Sequence, residues 1–159
     1  MDLSICPVTL SDIPALLRLI RQLAQFEKLD HEVTATEERL RESLFREPIT
    51  TEAIIARLSE EPVGYALYFQ NFSTFLARPG LYLEDLFVVP THRGRGIGRK
   101  LLAYVAHLAV SRDCGRLEWA VLDWNTRAIR FYERLGAKTM SEWTVYRMAG
   151  AALRKLAEE

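Results

Sequence analysis

The chain has 159 residues, 49% hydrophobic and 26% charged, which suits a single domain spanning 1–159 and excludes a disordered polar chain. Its 21 Lys and Arg are matched by 21 Asp and Glu, so it lacks the basic excess that a nucleic-acid partner requires. No apolar run approaches membrane-spanning length and no secretory leader is legible, so a cytoplasmic protein without a membrane partner is expected.

In chain order, strand and helix patterns alternate. Leu3 to Val8 predicts a short strand. Ser11 is an expected N-cap, with Pro14 in the first turn, where a missing N–H costs nothing. Ile13, Leu16, Leu17, Ile20, Leu23 and Ala24 then recur at helical spacing to about Phe26 or Leu29. A more polar helix is expected from Thr36 to Arg46. Ala53–Leu58 and Val63–Gln70 read as strands around a Ser59–Pro62 turn, and Phe72–Gly80 reads as a loop. Leu86-Phe87-Val88-Val89 is an apolar run too short for a helix, ended by Pro90, and so reads as a buried strand. A helix starts near Gly98 and reaches about Arg112. Arg116–Leu122 predicts a strand, Asn125–Leu135 a helix closed by Gly136, and Thr144–Met148 a last strand with an amphipathic tail after it.

The chain is organised around the segment joining the fourth strand to its helix, Arg93-Gly94-Arg95-Gly96-Ile97-Gly98. Glycine at every second position leaves backbone N–H groups uncovered, and at a helix N-terminus these suit a phosphate or pyrophosphate. The spacing is not that of a P-loop, because Arg99-Lys100-Leu101 misplaces the lysine and the hydroxyl. Nor is it G-x-G-x-x-G, the dinucleotide fingerprint. A turn that merely begins a helix is the alternative, which the strand before, the helix after and the arginines disfavour. Cys6, Cys114, His31, His92 and His107 have no metal-ligand spacing, so no metal is expected.

An R-x-x-G-x-G loop after an E-D-x-x-V strand resembles the GNAT acetyltransferase superfamily. LYLEDLFV, RGRGIG, the WN…FY…LGA segment from Trp124 to Ala137 and LLRLIRQLAQFEKLDHEV resemble its spermidine/spermine (diamine) branch. The resemblance implies an α/β fold with a mixed sheet whose fourth and fifth strands splay, and a homodimer. It implies transfer of an acetyl group from acetyl-CoA to a primary amine of a di- or polyamine-like substrate by direct attack. Thialysine- or lysine-like amines are the alternative substrates, and a non-catalytic acyl-CoA-binding module is the alternative class. Leu86, Phe87 and Val88 would pair with the pantetheine arm, with a backbone N–H at or near Phe87 facing the oxyanion. The stretch Arg93, Gly94, Arg95, Gly96, Ile97, Gly98 and Arg99 would hold the pyrophosphate.

The resemblance also assigns the side-chain chemistry. Glu84 would orient the amine and accept or relay its proton; the alternative is a surface charge on a half-exposed strand, an odd placement between Leu83 and the Leu86–Val89 run. Asp85 is expected on the opposite face by strand alternation. Tyr132 would protonate the departing thiolate, although its helix pattern alone reads as a core tyrosine. Asn125 is a helix cap, a contact to the CoA arm, or both. Phe26 and Glu27 stand where the family has a substrate-contacting Tyr-Glu pair, with the tyrosine replaced. Asp30 and Glu32 are further acids for a distant ammonium.

Overall fold

β-Branched and aromatic residues at alternating positions pair five strands into one sheet. The computed structural model, which describes residues 2–159, places β1 (Leu3–Pro7), β2 (Thr51–Leu58), β3 (Glu61–Ser73), β4 (Arg78–Val88) and β5 (Leu117–Trp119) side by side in chain order. The first four are antiparallel neighbours, and β5 lies parallel to β4, as a helical crossover requires. The helices are α1 (Ile13–Phe26), α2 (Glu37–Phe45), α3 (Ile97–Ser111), α4 (Thr126–Arg134) and α5 (Gly150–Ala157). The expected mixed α/β sheet is therefore present. The backbone divides into two compact units, Met1–Ala120 and Val121–Glu159. No helix among the described residues is long and apolar enough to cross a membrane.

Ile13, Leu16 and Leu19 of α1 and Leu44 of α2 bury one face of the sheet, against Ala53, Ile55, Tyr65 and Phe87. Transfer of such side chains from water is the main stabilising term, about 2 kcal/mol for each fully buried Leu or Ile. The other face meets α3. There Gly64 is required by close approach: an added Cβ would lie 2.7 Å from the Phe87 carbonyl oxygen, and Val88 and Leu101 side chains close the rest of the space.

Several boundaries differ from those expected. Ser11 does not cap α1. Thr9 begins a 3-10 turn at Leu10–Asp12, its N–H and hydroxyl both donating to Asp12 Oδ2 at 2.8 Å, and α1 follows. This T-x-x-D pair supplies two bonds where Ser11 would supply one. Thr36 does cap α2, accepting from the Arg39 N–H at 3.2 Å. Phe72–Gly80 is mostly strand, because Gln70 pairs with Leu81 and the ladder continues out to Ser73 and Arg78. Only residues 74–77 turn, and they carry no Gly, Asn, Asp or Pro to signal it. β5 is confined to Leu117–Trp119, shorter than its apolar pattern. Thr144–Met148 joins no ladder; Val145 and Tyr146 are exposed, and α5 follows. β-Propensity without a neighbouring strand does not form a strand.

One irregularity matters for the site. Leu83 pairs with Tyr68, and Asp85 pairs with the adjacent Leu67, leaving Glu84 as an extra residue in β4. This is a β-bulge, and simple alternation does not survive it. Asp85 therefore joins Tyr65, Leu67 and Phe87 on the α1 side of the sheet, while Leu83 stays on the α3 side with Tyr68.

Candidate active site

Pairing between β4 and β5 covers only Leu81–Leu83 against Leu117–Trp119. β4 runs on to Val88, so among the described residues its β5-facing edge from Glu84 to Val88 has no strand paired beside it. Backbone groups along such an edge are a ready template for an extended, amide-bearing ligand. Of the three residues expected to pair with that ligand, Phe87 and Val88 are buried and Leu86 is half-buried.

The open edge leads into the glycine loop. Pro90–His92 make a 3-10 turn, and Gly94 (φ +82) and Gly96 (φ +78) are left-handed. That conformation is why glycine stands at both positions. Nothing lies within 4 Å of where their Cβ atoms would be, so this face of the loop is clear. Gly96 is the N-cap of α3, Ile97 is buried as its first residue, and Gly98 and Arg99 continue the first turn. N–H groups of a first turn have no carbonyl in their own helix. Arg95 and Arg99 are exposed beside them. The backbone therefore presents donors, positive helix-dipole charge and arginines at one place, a combination that fits a diphosphate.

Arg93 does something other than line the loop. Its Nε donates to the Val88 carbonyl oxygen at 2.8 Å, and its guanidinium lies 4.3 Å from the Phe26 ring centroid and 5.5 Å from that of Phe87. It fastens the end of β4 to the exit of α1. Glu27 follows Phe26 as the C-cap of α1, its N–H donating to the Leu23 carbonyl. Burial raises the Glu27 carboxyl above the usual carboxylate range. Asp30 and Glu32 lie in the exposed 3-10 turn that follows, with Asp30 beside Arg21, Gln25 and Val33.

Residues that sequence reasoning missed complete this end of the sheet. Tyr65, fully buried on β3, donates its hydroxyl to Asp85 Oδ2 at 2.9 Å. Burial pushes the Asp85 carboxyl up to about 6, and the charges of Glu84 and Glu27 push the same way while the Tyr65 hydrogen bond opposes them. Burial also raises the Tyr65 phenol well above its ordinary value, with Asp85, Glu27 and Glu84 adding to the effect. Glu27 and Glu84, expected as separate substrate contacts, thus act electrostatically on one Tyr65–Asp85 pair. Only the adjacency of two acids in an otherwise apolar strand hinted at this.

In the second unit, Asn125 caps α4, its side-chain oxygen accepting from the Ala128 N–H at 3.2 Å. Tyr132 is half-buried, with its ring 5.2 Å from that of Phe131. Ala128 and Ile129 share its half-burial, whereas Leu135 at the end of the helix is exposed. Gly136 (φ +91) ends the helix, and the N–H of Ala137 reaches the Tyr132 carbonyl at 3.2 Å. Among the described residues, no three His, Cys, Asp or Glu side chains are grouped to hold a metal ion.

The chain is similar to known proteins along most of its length. The chain is 40% identical to the thialysine N-epsilon-acetyltransferase of Mus musculus over 158 residues, 92% of each chain. It is 29% identical to the spermidine/spermine N(1)-acetyltransferase-like protein 1 of Homo sapiens, across 93% of this chain and 23% of that longer one. Among solved structures, an integron cassette protein from the mobile metagenome of V. cholerae superposes with a TM-score of 0.83 at 29% identity, covering 100% of this chain and 99% of the other. Residues 15–137 match the Acetyltransferase (GNAT) family. The chain therefore belongs to the GNAT acetyltransferase family, and its chemistry is acetyl transfer to an amine.

Proposed function

We propose that the chain moves an acetyl group from acetyl-CoA to a primary amine of a small di- or polyamine-like molecule, by direct attack within a ternary complex. The observation that carries this reading is the open β4 edge, Glu84–Val88, running into the left-handed Gly94 and Gly96. In this reading the backbone of Leu86, Phe87 and Val88 pairs with the pantetheine arm, with a donor at or near Phe87 for the oxyanion. The loop from Gly94 through Gly96, Ile97 and Gly98 holds the diphosphate, helped by Arg95 and Arg99. Arg93 braces the strand end, and Asn125 contacts the CoA arm while capping α4.

The amine enters past Phe26, Glu27 and Glu84. A free ammonium has a pKa near ~10 and is scarcely nucleophilic at neutral pH, so carboxylates that orient it and relay its proton raise the rate. Glu84 is exposed, Glu27 is desolvated, and both charges act on the Asp85 carboxyl between them in this reading, which supports that role. Tyr132 protonates the departing thiolate. This assignment rests on the family resemblance of the Phe131-Tyr132 segment, and on a phenol being an adequate donor to a thiolate once aligned.

A lysine-like amine is the second reading, favoured by the 40% identity to a thialysine acetyltransferase. The family match spans 15–137, across the junction of the two compact units, which supports a single catalytic domain. The protein works in the cytoplasm as a homodimer in this reading. Phe75 at 95% exposure and Leu76 at 51%, at the tip of the β3–β4 hairpin, support a partner there. Thiol release measured across diamines, polyamines, thialysine and lysine tests the proposal. Highest kcat/KM on a di- or polyamine supports the first reading, and highest on thialysine the second. Tight acetyl-CoA binding with no turnover of any amine leaves only an acyl-CoA-binding module.

A further inference from the structure

We propose that Asp85 is the carboxylate that takes the substrate's proton, with Tyr65 as the positioning residue that holds it, while Glu84 orients the ammonium. This rests on the acetyl-transfer reading above and goes beyond it in naming where the proton goes. The bulge at Glu84 is the first observation. It turns Asp85 to the α1 side of β4, two residues before Phe87 and at the start of the unpaired edge. The second is that its carboxylate is fixed by the Tyr65 hydroxyl at 2.9 Å, from a residue that is itself fully buried.

A purely structural role does not call for a charge. The Tyr65 hydroxyl needs an acceptor, and an asparagine oxygen of the same shape would serve without the cost of desolvating a carboxylate. Instead an acid lies in a largely apolar layer beside two more acids. The groups facing it are Tyr65 from β3, Glu27 from the end of α1 and Glu84 from its own strand. The Arg93 guanidinium lies farther along, over the Phe87 ring. Such an arrangement favours an arriving cation and a proton.

The chemistry benefits directly. A carboxyl brought up to about 6 stays mostly ionised at neutral pH, yet holds a proton about a hundredfold more strongly than an ordinary aspartate. One N–H bond of the ammonium breaks as an O–H bond forms on Asp85. The freed electron pair attacks the thioester carbonyl, the C–N bond forms and the C–S bond breaks. A second proton from the attacking nitrogen balances the one that ends on sulfur. Asp85 is half-buried, so its own proton returns to water and one proton is released per turnover.

The test is the pH profile of kcat/KM for the wild-type protein and three variants on the best amine of the panel. Wild type should show an acid limb, with activity rising through about pH 6. Tyr65→Phe removes the hydrogen bond that favours the ionised form, so the limb should move to higher pH. Glu84→Gln removes a neighbouring negative charge, so the limb should move to lower pH even though the rate falls. Asp85→Asn should lose the limb and about a hundredfold or more in kcat, with acetyl-CoA affinity by calorimetry kept. These opposite shifts do not depend on Asp85→Asn folding, and a structural brace would produce neither. A limb that stays in place in both Tyr65→Phe and Glu84→Gln, or a folded Asp85→Asn protein that keeps rate and limb, overturns the assignment. Wild-type protein that binds acetyl-CoA but acetylates no amine overturns the acetyl-transfer reading, and this assignment with it.

Discussion

Leu83 and Trp119 are the last residues that β4 and β5 share, and beyond them the strands part company. β4 continues to Val88 and delivers the chain to a loop whose two left-handed glycines start α3. The site is therefore a consequence of one strand stopping early.

The loop glycines give the first prediction. Gly96→Ala forces a Cβ into a left-handed conformation, which costs about 1–2 kcal/mol. Because the Cβ meets open space rather than protein, the fold should survive with Tm lowered by several degrees. The methyl group then stands among the N–H donors, so the Kd for acetyl-CoA should rise at least about tenfold. Calorimetric titration beside thermal melts measures both, and an unchanged Kd would remove Gly96 from the diphosphate site.

Tyr132→Phe should lower kcat by about a hundredfold or more while leaving acetyl-CoA binding nearly intact, the pattern of a lost proton donor. Stopped-flow thiol release with a parallel binding titration reads the two quantities separately. Turnover equal to wild type would take Tyr132 out of the chemistry.

Stability should carry the mark of Asp85. Its folded pKa, about 6, exceeds the ordinary 3.8. The protonated form is thus the one the fold favours, and the associated stability is present below about pH 4 and lost as pH rises through 6. Asp85→Asn should therefore be more stable than wild type at pH 7 by on the order of 2 kcal/mol, with the gap closing toward pH 4. Thermal melts across that range check it. A functional acid held at a cost to stability is the expected trade.

Asp12 carries the opposite sign. Burial pushes its carboxyl up, but hydrogen bonds from Thr9 and the Arg57 guanidinium outweigh burial and hold it below the usual carboxylate range. Its contribution is present above that range and disappears as pH falls through the folded pKa. Asp12→Ala leaves Arg57 without this counter-ion and removes the turn that starts α1, so it should cost about 2 kcal/mol at neutral pH. Urea melts at neutral pH and near pH 3 should show the variant's deficit shrinking in acid.

How much of this was legible in the sequence follows from how local each signal is. The glycine loop was legible because a left-handed backbone needs glycine whatever surrounds it. The parallel β4–β5 pairing was legible in the strand–helix–strand order around α3, because a crossover helix returns the chain to the same end of the sheet. Asn125, Thr36 and Gly136 announced helix ends through chemistry confined to a few neighbouring residues. The bulge at Glu84 was not legible, since it exists only in register with Leu67 and Tyr68 of another strand, and it is what turns Asp85 toward Tyr65. Thr144–Met148 has the composition of a strand, but composition does not supply a neighbour. Arg93 read as a phosphate ligand; only the fold reveals Phe26 beneath it and Val88 within reach.

The central claim is that backbone donors between Gly94 and Arg99, with the open edge of β4 leading to them, hold the thioester substrate. A crystal structure of the protein with acetyl-CoA tests this most directly. The account predicts a pantetheine arm lying along Leu86–Val88 and a diphosphate seated on the N–H groups of the loop and the first turn of α3. A ligand bound elsewhere, with that loop and edge empty, would contradict it.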